Sequence, residues 1–159
     1  MDINDQHIYT FCNAYIDEIK IYTVKVYFQN ATKINSKEAF SLFLYHIKKH
    51  EINELLLYSP TKARDFQTQW IKEVLGKTHY DKLMSTTAKT KDSGYNIYFR
   101  TSNTLNTNRM YISNLGILCY YPSDKEFEQL RDLNPSIIFI YGDLIHLPET
   151  AMDYDLEEN

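Results

Sequence analysis

The sequence contains little glycine, proline or cysteine: its 159 residues include four Gly, four Pro and two Cys. So few flexible residues leave little room for a linker, and the length suits one domain with a substantial core better than two. Cys12 and Cys119 lie within apolar patterns, which favours buried, reduced thiols over a structural disulfide. We therefore expect a single domain over residues 1–147 and a C-terminal tail over residues 148–159.

Signals of a membrane or secreted protein are also missing. No segment approaches the roughly 18 consecutive apolar residues that a membrane-spanning helix requires. The first residues, MDINDQH, have neither the basic region nor the apolar stretch of a signal peptide. We expect a cytoplasmic protein that has no membrane partner.

Motifs for nucleotide hydrolysis and metal binding are missing as well. Gly76, Lys77 and Thr78 match the end of a P-loop, but Ile71 stands where the first glycine of that motif is required. The sequence also lacks G-x-G-x-x-G, H-E-x-x-H and paired C-x-x-C motifs. His46 and His50 are four residues apart on a predicted helix, but no third or fourth ligand follows at a recognisable spacing. We therefore expect no cofactor and no metal.

The acidic residues are concentrated at the C-terminus. The net charge is −4, from 21 acidic and 17 basic side chains. The tail, PETAMDYDLEEN, holds five of the acidic residues and none of the basic ones, which leaves a nearly neutral body. A neutral body exerts no long-range attraction on a phosphate backbone, which disfavours nucleic acid as a partner.

The spacing of apolar residues predicts alternating helices and strands. Ile8, Phe11, Tyr15 and Ile19 predict an N-terminal amphipathic helix, and the alternation over residues 22–28 predicts a strand. The continuous apolar runs within 52–59 and 136–142 are typical of strands that are covered on both faces. The other predicted elements are helices over 36–51, 60–75 and 123–133, a strand over 82–88, and two strands over 94–102 and 108–121 that form a hairpin.

This order of elements favours a particular fold class. Strands that alternate with helices imply parallel pairing through crossover connections, whereas a hairpin adds antiparallel strands. We predict a single three-layer α/β domain with a mixed, partly parallel sheet, an N-terminal helix and an antiparallel hairpin.

The segment ELLLYSPTKAR, residues 54–64, contains the first candidate site. Ser59 can cap the helix that follows, with Pro60 as the first helical residue. A helix N-terminus that carries Thr61, Lys62 and Arg64 also suits an anion such as phosphate, because ligands of α/β proteins gather beyond the carboxyl ends of the strands. The sequence leaves both interpretations open.

The segment GDLIHLP, residues 142–148, contains the second candidate site. Asp143 directly follows the last predicted strand, and His146 follows three residues later. A carboxylate at this point is a common catalytic acid or ligand in α/β enzymes, but Gly142 and Asp143 also form an ordinary turn. If the last strand neighbours the strand that ends at Ser59, then Ser59, Asp143 and His146 converge as candidate catalytic residues.

Two functional hypotheses follow, and the sequence leaves enzymatic activity open. The first is a small protein–protein interaction protein without catalysis, such as an immunity or defence-system accessory subunit. With 14 tyrosines, its surface suits a protein partner, and the residues expected to bind that partner are Asp153, Tyr154, Asp155, Leu156, Glu157 and Glu158. The alternative is a phosphate-handling or hydrolytic α/β domain with its site near Ser59 and Asp143.

Overall fold

The computed structural model describes residues 24–60, 65–105, 112–143, 145–153 and 157–158. The predicted N-terminal helix lies outside these residues, as do Thr61, Lys62, Arg64, Tyr154, Asp155 and Leu156.

The described residues form the alternating elements of an α/β protein. The strands are β1 (Lys25–Asn30), β2 (Glu54–Tyr58), β3 (Lys89–Asp92), β4 (Tyr95–Arg100), β5 (Leu115–Tyr120), β6 (Ile137–Gly142) and the two-residue β7 (Glu157–Glu158). The helices are α1 (Ser36–Lys49), α2 (Asp65–Leu75), α3 (Lys77–Met84), α4 (Ser102–Leu105), α5 (Asp124–Arg131) and a 3-10 helix (Glu149–Asp153).

All of these strands belong to one mixed sheet. Their order is β3-β4-β2-β5-β6-β1-β7. The neighbours from β4 to β7 are parallel, whereas β3 is antiparallel to β4. The prediction of an α/β fold with a mixed, partly parallel sheet is therefore confirmed.

The antiparallel hairpin is formed by different strands from those predicted. β4 and β5 do not pair with each other, because each lies parallel to β2, on opposite sides of it. The hairpin joins β3 to β4 through Ser93 (φ 52°) and Gly94 (φ 87°), and a tight two-residue turn with both central residues in the left-handed region matches the twist of the strands. On either side of β2, the apolar strands β4 and β5 bury more of their apolar surface than they would in a hairpin at the protein surface.

The strand predicted over residues 82–88 is also wrong. Its first three residues end α3, and the strand begins only at Lys89. Leu83 is fully buried, while Tyr80 and Met84 pack against the same core. The spacing of these three residues is helical, so the side chains meet the sheet as one stripe of a helix. Gly76, with φ 86°, separates α3 from α2.

Helices pack against both faces of the sheet. On one side, which we call the α1 face, the core includes Leu55, Leu57 and Phe139 with residues of α1, α2 and α3. On the other, the α5 face, Leu56 and Tyr58 pack with residues of α5. Successive side chains of β2 thus enter opposite cores, which explains its continuous apolar sequence.

The described end of the tail contacts the domain. Ala151, in the 3-10 helix, is fully buried in the core of the α5 face. β7 pairs in parallel with β1, with Glu157 opposite Tyr27 and Glu158 opposite Phe28. No helix in the described part of the chain is both long and apolar enough to cross a membrane.

Candidate functional site

The connections of the sheet create a topological switch point at its carboxyl edge. The helices that follow β2 pack on the α1 face, whereas the helix that follows β5 packs on the α5 face. β2 and β5 are neighbours and parallel. Because the chain leaves these two strands toward opposite faces, their carboxyl ends form a switch point, where ligands of α/β proteins usually bind.

Three residues at the ends of β2 and β4 form what we call the strand-end cluster: Tyr58, Ser59 and Arg100. Tyr58 and Arg100 are paired in register, so their side chains share the α5 face. The backbone N–H of Ser59 donates to the carbonyl oxygen of Arg100 at 3.2 Å. The Ser102 hydroxyl donates to the carbonyl oxygen of Pro60 at 2.8 Å. These bonds hold the two strand ends together.

The strand-end cluster contains three buried polar atoms that have no hydrogen-bond partner in the described part of the chain. They are the Tyr58 hydroxyl, Ser59 Oγ and Arg100 Nε. Tyr58 and Ser59 are both fully buried. Each buried polar group without a partner costs about 1–3 kcal/mol, and native proteins contain few of them. Three of the eight such atoms among the described residues lie at these two strand ends, which makes this edge a candidate binding site.

Arg100 also has no counter-charge within the described ranges. Its Nη1 donates to the carbonyl oxygen of Phe99 at 2.8 Å. Burial lowers the pKa of its guanidinium, an effect that the neighbouring Tyr98 opposes. Among the described side chains, no carboxylate forms an ion pair with it. A half-buried guanidinium without an acidic partner is suited to a planar or tetrahedral anion.

Asp143 and His146 form a second group at the same edge. Asp143 Oδ1 accepts from the backbone N–H of His146 at 2.9 Å and lies 2.7 Å from His146 Nδ1. These contacts, the backbone bond foremost, lower the pKa of the Asp143 carboxyl. A carboxylate at Nδ1 orients the ring. The His146 side chain is 68% exposed.

The two groups do not lie on neighbouring strands. β5 stands between β2 and β6, and two inter-strand spacings correspond to about 10 Å. The strand order under which Ser59, Asp143 and His146 were expected to converge is therefore not the one observed. Ser59 adjoins Arg100, and Asp143 adjoins His146. The described part of α2 begins at Asp65, and the Ser59 hydroxyl makes no capping bond to it.

Comparison with protein-family models, curated proteins and solved structures finds no match to this chain. Its function has to be inferred from its own chemistry.

Arg100 and Tyr58 are the residues of the strand-end cluster that sequence analysis did not select. A cation at the end of an apolar strand, followed by the polar residues Thr101 and Ser102, was the available signal. The predicted hairpin placed this position near the end of a strand, next to the hairpin loop. Only the parallel pairing of β4 with β2 places Arg100 beside Tyr58.

His46 of α1 and His50, which follows this helix, both contact Tyr27. The His46 ring stacks on the Tyr27 ring, with centroids 3.8 Å apart, and His50 Nε2 lies 3.5 Å from the Tyr27 hydroxyl. In the described ranges, no group of three His, Cys, Asp or Glu side chains could hold a metal ion.

An open pocket lies elsewhere on the protein, on the α1 face near the amino ends of β2 and β4. Its volume is about 220 Å³, and it is lined mainly by apolar side chains that include Phe40, Leu44 and Leu55. This volume falls below the range of about 300–1,000 Å³ that is typical of sites for drug-sized ligands. The sheet separates the pocket from the side chains of Tyr58 and Arg100.

Proposed function

We propose that this protein binds a small phosphate-bearing anion at the carboxyl ends of β2 and β4. The observation that carries the proposal is the half-buried Arg100, which lacks an acidic partner among the described residues. Its neighbours at the strand ends, Tyr58 and Ser59, carry buried hydroxyls that have no hydrogen-bond partner in the described part of the chain. The guanidinium Nε–H and both hydroxyls can donate. A terminal phosphate offers strong acceptor oxygens to the Arg100 guanidinium.

The position of the cluster supports the same proposal. It lies next to the switch point at the carboxyl edge of a largely parallel sheet, where anions and cofactors commonly bind. Thr61, Lys62 and Arg64 follow Pro60 within four residues, so the sequence supplies two further cations close to Ser59 along the chain. Charge-assisted hydrogen bonds from such groups are the strong ones in phosphate recognition.

Removal of the Arg100 charge tests this function. We expect Arg100→Gln to weaken the binding of inorganic phosphate or pyrophosphate about tenfold or more, since a hydrogen bond to a charged group contributes about 1.5–3 kcal/mol. Isothermal titration calorimetry on the full chain measures the affinity. Arg131→Gln is the matched control, because it removes the same charge from α5, where Arg131 lies 3.6 Å from Asp132. Equal losses in both variants, or none in either, would contradict the proposal.

Tyr58→Phe serves as a second arm of this experiment, because its expected effects on stability and on binding have opposite directions. The change removes a buried hydroxyl without a partner, so the free energy of unfolding without ligand should stay the same or rise. The same change removes a donor to the anion and should weaken binding. Urea denaturation and calorimetry on the same sample separate the two effects. A variant that is less stable but binds normally would show that the hydroxyl serves the fold alone.

We propose as a second candidate function that the tail and the adjacent sheet edge bind a protein partner, as in an immunity or defence-system assembly. The favouring observation is that β7, which belongs to the acidic tail, forms the outermost strand on the β1 side of the sheet. A strand at a sheet edge presents backbone groups to which another chain can add. The acidic composition of the tail suits a partner with a basic surface.

Neutralising the tail tests the second candidate. We expect a variant with amides at Asp153, Asp155, Glu157 and Glu158 to lose a stoichiometric partner in a pull-down from the host at low salt, because the charge that attracts a basic surface is gone. A matched control neutralises four exposed acids of the body, Glu51, Glu73, Glu128 and Asp132. If both variants retain the same proteins, or if the unaltered chain is recovered alone, the tail has no such role.

A further inference from the structure

Tyr121 has an unusual backbone conformation at the carboxyl edge. It directly follows β5, the neighbour of β2, and its φ is 48°, in the left-handed region that aromatic residues rarely adopt. Its backbone N–H donates to the carbonyl oxygen of Tyr141 at 3.0 Å. A strained backbone persists where its surroundings hold it, and such positions are concentrated at ligand sites.

The ring of Tyr121 lies on the same face of the sheet as the side chains of Tyr58 and Arg100. A Cβ added at Gly142 would lie 3.5 Å from Tyr121 Cδ1. Gly142 continues the alternation of Ile138 and Ile140, which belong to the core of the α5 face. The Tyr121 ring therefore lies over Gly142 on the α5 face, where Tyr58 and Arg100 also lie.

Other rings hold Tyr121 in place. The Tyr120 ring packs against it edge-on, with centroids 4.8 Å apart, and the His146 ring lies at 6.4 Å. Burial, together with the charge of Asp143, raises the pKa of Tyr121, so its phenol remains neutral at physiological pH. A neutral, half-exposed and fixed aromatic ring is a surface on which a planar group can stack.

We infer that the bound anion is the phosphate end of a nucleotide whose base stacks on Tyr121. This inference rests on the anion site proposed above and names its ligand class. β2 and β5 separate Arg100 on β4 from Gly142 on β6, and three inter-strand spacings span about 14 Å. Inorganic phosphate is too small to contact both Arg100 and the Tyr121 ring. A nucleoside triphosphate is elongated, with an anionic phosphate end and a planar base at the other end. Stacking on an aromatic ring accepts any base, because every base has a π-face.

The test compares ATP with inorganic triphosphate on the full chain by isothermal titration calorimetry. We expect ATP to bind about tenfold or more tightly than triphosphate, the usual effect of stacking one base on an aromatic ring. Tyr121→Asn removes the ring but suits a left-handed backbone, so the fold is retained and can be verified by thermal denaturation. In this variant the ATP affinity should fall to that of triphosphate, while the triphosphate affinity stays unchanged. Tyr121→Phe keeps the ring and should preserve the preference for ATP.

The outcomes separate the two proposals. Equal binding of ATP and triphosphate, unchanged in Tyr121→Asn, overturns the nucleotide inference and leaves the anion site standing. If neither probe binds the unaltered protein, the anion site itself is contradicted, and the nucleotide inference fails with it.

Discussion

Replacing Phe139 with alanine should lower the free energy of unfolding by about 3–5 kcal/mol, a large fraction of the roughly 5–15 kcal/mol typical of a domain. Phe139 is fully buried in β6, paired with Leu118 of β5 and Tyr27 of β1. Its ring meets the Phe43 ring of α1 nearly perpendicularly, with centroids 6.1 Å apart. β5 and β1 flank Phe139 on both sides, so the cavity that the alanine substitution leaves cannot collapse readily.

Urea denaturation measures this loss, and the melting temperature should fall by about 2–4 °C for each kcal/mol. Tyr45→Ala is the matched control, because it truncates an aromatic side chain that is 61% exposed and should change stability by no more than about 0.5 kcal/mol. A Phe139→Ala variant as stable as the control would contradict the packing of β6 against α1.

The second large effect is expected at Gly116, where alanine should cost about 1–3 kcal/mol by overpacking. Gly116 lies in β5, paired with Leu55 and Ile137. A Cβ at this position would overlap Cδ1 of the fully buried Ile47 of α1. The absence of a side chain at residue 116 thus allows α1 to approach the sheet closely.

Ile47→Val removes the atom that the new Cβ would meet, so it should rescue Gly116→Ala. Alone, Ile47→Val should cost about 0.5–1.5 kcal/mol. In the double variant the loss should be smaller than the two single losses added together, which a double-mutant cycle in urea measures. Gly94→Ala is the control, because an added Cβ there meets nothing within 4 Å and its cost comes from the left-handed backbone alone. Simple additivity of Gly116→Ala and Ile47→Val would show that the two sites do not touch.

The sequence alone determined the elements whose burial pattern is local. The helical stripe of Phe40, Phe43 and Ile47 and the continuous apolar runs that became β2 and β6 were predicted close to their observed bounds. The pair of Asp143 and His146 also follows from sequence, because residues three apart in a turn can contact each other wherever the turn lies. The spacing of apolar residues indicates which side chains have to be buried, and this pattern is complete within a few residues of the chain.

Only the tertiary structure decided which strands are neighbours. The sequence predicted that β4 and β5 form one hairpin, yet both pair with β2. β5 also lies between β2 and β6. This arrangement places Arg100 beside Tyr58 and keeps Ser59 away from Asp143. An apolar strand can satisfy its backbone hydrogen bonds with any neighbour. The choice among neighbours therefore depends on how the helices cover both faces of the whole sheet, and no local pattern records that.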